Sequence, residues 1–131
     1  MGVKHLVDTH VLLWLLSAPD RIPAAVLATL ADRANALMVS TASALEISTK
    51  VRLGKLDAAE LSTTLPGRLT GIGADVLPIT LEHAMLAGSL SWAHRDPFDR
   101  LLVAQATIED ATLVTVDAAL VGLPVPRILT W

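Results

Sequence analysis

Four acidic residues, Asp8, Glu46, Asp99 and Asp117, have the side-chain type and the positions expected of a catalytic or metal-binding site. Each follows a predicted strand or opens a predicted helix. In a parallel α/β sheet, ligand sites form beyond the carboxyl ends of the strands, where loops and helix N-termini meet. Cysteine is absent, which excludes thiol nucleophiles and thiolate metal sites, so any metal must bind oxygen or imidazole. We therefore expect the four side chains to point into one crevice.

Each acid also has a purely structural interpretation as a helix cap. Residues 43–46 have the spacing of a capping box, and residues 96–99 could form the same device. Asp8 and Asp117 could each cap the short helix that follows it. Capping does not require acids at this particular set of sheet-end positions, so their joint occurrence favours a functional site.

The elements that must position these acids alternate between short strand-like apolar runs and longer helical ones, which predicts an α/β fold. Predicted strands cover residues 3–7, 37–39, 76–79, 112–116 and 127–129, and predicted helices cover 9–17, 22–33, 43–53, 80–90 and 97–110. Residues 58–73 are predicted to be helical only in their first half, because Pro66 and Gly67 interrupt the pattern.

Composition limits the alternatives further. We expect residues 1–131 to form a single domain, and a cytoplasmic one, since the apolar runs are too short to span a bilayer. The net charge of −3 is not typical of proteins that bind nucleic acid by bulk electrostatics, so any such binding must be local and metal-assisted. The 53% share of apolar residues suggests a surface that is buried against a partner.

Four sequence blocks resemble one known family, the PIN domains, and within it the VapC-type toxins of bacterial toxin–antitoxin systems. The most specific block is Asp-Pro-Phe-Asp-Arg at residues 96–100. The other three are Leu-Val-Asp-Thr-His at 6–10, Ser-Ala-Leu-Glu-Ile at 43–47 and Leu-Val-Thr-Val-Asp at 113–117. All four occur in the family's order, so the resemblance covers nearly the whole chain.

The resemblance implies a three-layer α/β/α fold around a short, mostly parallel sheet of four to five strands. It also implies an endoribonuclease that depends on Mg²⁺ or Mn²⁺. Asp8, Glu46 and Asp99 would then be the core metal ligands and, with Asp117, the catalytic acids. Asp117 matches the family's more variable fourth acid, which binds a second ion or acts through water. Clustered carboxylates repel one another, and a hard divalent cation would hold them ionised.

Other residues near these blocks are candidates for supporting roles. Thr9 and Thr115 could supply hydroxyls behind the ligands, and Asp96 is expected to cap the helix that starts at Pro97. Arg100 could stabilise the anions of the site or contact RNA phosphates.

Three further basic residues, Lys50, Arg52 and Arg95, are candidates for RNA binding, although a solvated role is the usual one for surface cations. The four histidines show no paired ligand spacing, so a zinc site is not expected. Among them, His94 is the one worth testing.

The family resemblance also implies two protein partners, a VapB-like antitoxin that blocks the crevice and a second copy in a homodimer. Candidate partner surfaces are the helix around Trp14 and residues 58–73. The main alternative is a catalytically silent PIN-like module in which the acids only cap helices and the surface binds proteins. A phosphoaspartate domain is disfavoured, because Asp8 is followed by Thr9-His10 where phosphatases of that kind have Asp-x-Asp.

Overall fold

The computed structural model describes residues 2–131. Five strands alternate with seven α-helices in this part of the chain, with one 3₁₀ turn at Pro19–Arg21. The strands are β1 (Lys4–Val7), β2 (Ala36–Ser40), β3 (Ala74–Leu77), β4 (Thr112–Val114) and β5 (Ile128–Leu129). The helices are α1 (Thr9–Ser17), α2 (Ala24–Ala31), α3 (Thr41–Arg52), α4 (Leu61–Gly71), α5 (Leu81–Ser89), α6 (Pro97–Ile108) and α7 (Ala118–Val121). No helix among these residues has the length and the apolar character needed to cross a bilayer.

The five strands form one parallel sheet in the order β3-β2-β1-β4-β5. This confirms the predicted α/β class and the four to five strands. The chain moves outward in one direction from β1 to β3 and then returns to place β4 on the other side of β1. The boundary between β1 and β4 is thus a topological switch point, where connections leave in opposite directions and open a crevice at the carboxyl edge.

Helices cover both faces of this sheet, and the strand side chains divide between two apolar clusters. Along β1, Leu6 packs into the cluster beneath α6, whereas Val7 packs into the cluster formed with α1, α2 and α4. The same alternation places Leu113 and Val114 of β4 on opposite faces. Successive side chains of a strand point to opposite faces, so each strand anchors two helical layers. The three-layer α/β/α architecture follows from this burial on both faces.

Helix α4 differs from the sequence prediction, because it runs without a break through Pro66. Leu61, Leu65 and Leu69 lie four residues apart and pack one face of the helix into the core cluster. A proline removes one backbone hydrogen bond and costs about 3 kcal/mol in a helix interior. Burial of leucine side chains contributes about 2 kcal/mol each. Tertiary packing therefore outweighs the local signal, and the predicted break at residues 66–67 was wrong.

Candidate active site

Asp8 follows β1 directly and sits at the switch point of the sheet. Its backbone N–H donates to the carbonyl of Val114, which extends the β1–β4 pairing by one residue. Its Oδ1 accepts a hydrogen bond of 2.8 Å from the N–H of Val11 and so caps α1. Its Oδ2 accepts from the hydroxyl of Thr115. Asp8 is therefore both a cap and a nearly buried carboxylate that is held in one orientation.

Thr115 connects two of the predicted acids. Its hydroxyl donates to Asp8 and accepts a hydrogen bond of 3.0 Å from the backbone N–H of Asp117. Asp117 in turn caps the short helix α7, since its Oδ1 accepts from the N–H of Ala119 at 2.9 Å. A single buried hydroxyl thus fixes the distance between Asp8 and the start of the Asp117 turn.

Glu46 lies in the second turn of α3 and is not part of a capping box. The helix starts at Thr41 with Ser40 as its N-cap, so Ser43 is already inside the helix and cannot cap it. Instead, Oε1 of Glu46 accepts a hydrogen bond of 2.7 Å from the hydroxyl of Thr9. The structure thereby excludes the capping-box interpretation of residues 43–46 and ties Glu46 to the residue after Asp8.

Asp96 and Asp99 open α6, where Pro97 occupies the first helical position. Oδ1 of Asp96 accepts from the N–H groups of Phe98 and Asp99, at 2.9 and 3.3 Å, which confirms the predicted cap. The contribution of such a cap to stability is about 1 kcal/mol. Oδ2 of Asp99 lies 2.7 Å from Nε2 of His94 and accepts a hydrogen bond from it. Ligand atoms of His94, Asp96 and Asp99 all lie within 4.8 Å of one another.

His94 was not predicted as a site residue, although it was the one histidine singled out for testing, and it contacts Asp99. It lies in the loop before α6, and its ring stacks on Trp92 with 4.7 Å between ring centroids. The sequence signal is its position five residues before Asp99, in a segment held by the start of a strongly capped helix. His10, which also lines the cavity, was not predicted.

The four predicted acids meet in one small cavity of about 90 Å³ at the carboxyl edge of the sheet. Its lining residues are Asp8, Thr9, His10, Glu46, Lys50, Asp96, Asp99 and Asp117. Burial raises the pKa of Asp8 and of Asp99 above the ordinary aspartate value, and the hydrogen bonds from Thr115 and His94 oppose that rise. The nearby charge of Asp117 raises both pKa values further. A cation in the cavity would remove this repulsion.

The donor set fits a hard divalent cation. Carboxylate and hydroxyl oxygens predominate, and Mg²⁺ and Mn²⁺ prefer such ligands. Among residues 2–131, no hydrogen bond engages Oδ1 of Asp99 or Oδ2 of Asp117, so these two oxygens have free lone pairs. The carboxylates of Asp8 and Glu46 are oriented from behind by Thr115 and Thr9. Such outer hydrogen bonds commonly orient metal ligands.

The predicted basic residues separate into one that lies in the cavity and three that do not. Nζ of Lys50 lies 2.6 Å from Oε2 of Glu46 and lines the cavity. Arg52 is exposed in the last turn of α3, and Arg95 borders a different cavity, between α5 and α6. The placement of Arg52 and Arg95 gives no support to an RNA contact in the crevice.

Arg100 has a structural role that its sequence position did not reveal. Its guanidinium donates to the backbone carbonyls of residues at the end of α5 and in the loop that follows: Ala87, Gly88, Leu90, Trp92 and His94. The last carbonyls of a helix lack partners within the helix, and Arg100 supplies them. The residue therefore fixes the loop that carries His94 and does not face the carboxylates.

Fold and site together define a class: an α/β domain with a carboxylate cavity at the switch point of a parallel sheet. The sequence matches the family model of the PIN domain over residues 5–124, and the chain belongs to the PIN domain family. No curated protein matches the sequence.

Several solved structures share the fold. VapBC2 from Rickettsia felis, bound to a DNA fragment from its promoter, matches with a TM-score of 0.72 at 18% identity, covering 98% of this chain and 99% of that one. DNA-bound VapBC from Salmonella typhimurium gives 0.72 at 17% identity, covering 98% of each chain. A toxin–antitoxin complex from Klebsiella pneumoniae gives 0.62 at 18% identity, covering 96% of each chain.

Proposed function

We propose that this protein is an endoribonuclease that depends on Mg²⁺ or Mn²⁺ and acts as the toxin of a toxin–antitoxin pair. PIN domains are nucleases. The observation that carries the proposal is the convergence of Asp8, Glu46, Asp99 and Asp117 on one cavity from four separate parts of the chain. Helix capping alone would not require that convergence.

In this proposal the chain's own residues hold and orient the reacting groups. Asp8, Glu46 and Asp99 would be the direct ligands of the cation, and Asp117 on the more exposed rim would complete the set. Thr9 and Thr115 keep two of these carboxylates in fixed orientations, which reduces the reorganisation needed on binding. A bound divalent cation would supply a Lewis acid for phosphoryl oxygens and increase the acidity of a water nucleophile.

The proposed partner is an antitoxin protein, which is supported by neighbours that are themselves VapBC and toxin–antitoxin complexes. An apolar cavity of about 280 Å³ lies between α3 and α4. Ile47 and Val51 line it from α3, and Leu61 and Leu65 line it from α4. This groove includes part of the predicted partner surface at residues 58–73, and we assign it to the antitoxin. It lies along the helix that carries Glu46, so a bound segment would sit beside the site.

The first experiment measures cleavage of a structured RNA pool with Mn²⁺ by the wild-type protein, with and without EDTA, and by Asp8→Asn. We expect cleavage that EDTA abolishes and that Asp8→Asn reduces by at least about a hundredfold. Asparagine retains the helix cap, so the folded structure should persist. The matched control is Asp32→Asn, an exposed aspartate that also accepts a backbone N–H, from Ala34 at 2.9 Å, and lies outside the cavity.

The outcomes separate the proposal from its alternative. Equal cleavage by wild type and Asp8→Asn would contradict the assigned site. Absence of both cleavage and calorimetric Mn²⁺ binding would favour the catalytically silent, protein-binding module.

A further inference from the structure

The charge balance of the cavity is uneven, and Lys50 is central to it. Five carboxylates line the cavity: Asp8, Glu46, Asp96, Asp99 and Asp117. Within residues 2–131, Lys50 is the only lysine or arginine among the lining residues. An RNA phosphate that approached this cavity would meet mostly negative charge, so a cation at the entrance matters both with and without a bound metal.

Lys50 contacts Glu46 from one turn further along α3. Nζ and Oε2 are 2.6 Å apart, and the side chain of Lys50 is 40% exposed against 9% for Glu46. A pair of this kind, at positions i and i+4 with one exposed member, contributes little to helix stability. Helix α3 is already capped by Ser40 at its start, so it does not depend on this contact. The ion pair can therefore break at little cost to the fold.

Glu46 keeps its orientation when Lys50 moves, because a different residue holds its other oxygen. Oε1 accepts from the hydroxyl of Thr9, which also lies 3.0 Å from the hydroxyl oxygen of Ser43. The carboxylate thus has one oxygen fixed from behind and one facing the ammonium group. A cation that binds Oε2 must share that oxygen with Lys50 or displace it.

The influence of the cavity on Lys50 extends beyond Glu46. The hydrogen bond to Glu46 raises the pKa of the Lys50 ammonium group, and the charges of Asp96 and Asp99 raise it further, against the opposing effect of burial. The ammonium group shares the cavity with carboxylates at the start of α6 as well as with that of α3. Its flexible four-carbon stem allows it to move over the cavity entrance.

We propose that Lys50 is a displaceable counter-ion. It neutralises Glu46 in the metal-free cavity, competes there with the divalent cation, and binds an RNA phosphate once that cation has released it. This inference rests on the proposed function and adds to it the residue that links metal loading to substrate binding. No residue outside the cavity is needed for the exchange.

The test measures Mn²⁺ binding by calorimetry for wild type, Lys50→Met, Lys50→Arg and Lys55→Met. Methionine removes the charge and keeps the length of the stem, so we expect Lys50→Met to bind Mn²⁺ about tenfold more tightly, within the range usual for coupled sites. Lys50→Arg keeps the competing charge and should stay close to wild type. Lys55→Met removes one exposed positive charge from beyond the end of the same helix, outside the cavity, and should also bind like wild type.

The second measurement is RNA cleavage at saturating Mn²⁺ over a range of salt concentrations. We expect Lys50→Met to lower kcat/KM by about tenfold and to weaken the salt dependence, because one phosphate contact is lost. Lys55→Met should retain both. Tighter metal binding combined with poorer cleavage is a pattern that mere structural damage would not produce.

The possible results distinguish this inference from the proposed function. If Lys50→Met binds Mn²⁺ no more tightly than wild type, Lys50 does not compete with the cation and the inference is wrong while the nuclease proposal stands. If Mn²⁺ binding tightens but kcat/KM and its salt dependence do not change, the phosphate role is overturned. If wild type and Lys50→Met both fail to bind Mn²⁺, the proposed function and the inference fail together.

Discussion

A histidine–carboxylate pair lies at each end of helix α6, and the two pairs have different roles. At its C-terminal end, Nε2 of His83 lies 3.0 Å from Oε2 of Glu109, and the His83 side chain is 1% exposed. At its N-terminal end, His94 and Asp99 are 2.7 Å apart, and their side chains are 28% and 16% exposed. The same two types of group meet in both places, so residue type alone does not decide which pair supports chemistry.

The difference lies in where the remaining atoms point. Nδ1 of His83 accepts a hydrogen bond of 3.0 Å from the N–H of Thr80 and completes the capping box of α5. Nε2 must therefore carry the hydrogen and donate the hydrogen bond that Glu109 accepts. Both ring nitrogens are thus used to join α5 to α6. In the other pair, Asp99 lines the acidic cavity, and its Oδ1 has no hydrogen-bond partner among residues 2–131, so a ligand can use that oxygen.

The largest expected effect concerns the His83–Glu109 pair. We expect His83→Ala to lower the free energy of unfolding by about 3 kcal/mol, because it leaves a cavity and removes half of a capping box. Urea denaturation of the metal-free protein measures this loss. His94→Ala truncates a partly exposed ring and should lower the same free energy by less than about 1 kcal/mol. Equal losses in the two variants would remove the distinction between the pairs.

The expected effect at the His94–Asp99 pair is on metal affinity. His94→Ala should weaken Mn²⁺ binding about tenfold, or by about 1.4 kcal/mol, since removing a residue that orients a metal ligand typically costs 10–100-fold. Calorimetry checks this, with Glu109→Gln as the matched control at the other end of α6. The amide oxygen of glutamine can still accept the hydrogen bond from His83, so the control should bind Mn²⁺ like wild type. Unchanged affinity in His94→Ala would show that Asp99 does not need His94 for its orientation.

The smallest expected effect is a dependence of stability on pH. Because the pKa values of Asp8 and Asp99 are raised in the folded protein, the folded state takes up protons before the unfolded chain does. Their contribution to the free energy of unfolding of the metal-free protein therefore increases as the pH falls toward 4, and it levels off below the ordinary aspartate value. Mn²⁺ affinity should change in the opposite direction, because protons and the metal compete for the same oxygens.

Comparing Asp99→Asn with wild type isolates the contribution of Asp99 from that of the other titrating groups. Asp99→Asn should stabilise the metal-free protein relative to wild type at pH 7, and that advantage should shrink as the pH is lowered to 4.5. Denaturation in EDTA across this pH range measures the difference between the two proteins, and an Asp99→Asn advantage that grows on acidification would have the wrong sign for a raised pKa.

Much of the fold was predictable because its signals are local. The apolar runs gave the five strands in order, and the sequence Asp96-Pro97 identified the cap and first residue of α6 correctly. Strand and helix bounds deviated mainly at their ends, as for the predicted helix 43–53, which starts two residues earlier at Thr41. That shift matters, because it removes Glu46 from the first turn and with it the capping-box interpretation.

What the sequence alone determined is the pattern of elements, the family resemblance and the positions of four acids near predicted strand ends and helix starts, since these depend on periodicity, motif residues and spacing. Tertiary structure decided the rest. Only packing shows that α4 continues through Pro66, that Arg100 binds backbone carbonyls, and that Lys50 is the basic residue inside the cavity. The physical reason is that long, flexible side chains and marginal helices take their final state from neighbours far away in the chain. Local propensity is worth only a few tenths of a kcal/mol for an ordinary residue, and tertiary contacts outweigh even the cost of about 3 kcal/mol at Pro66.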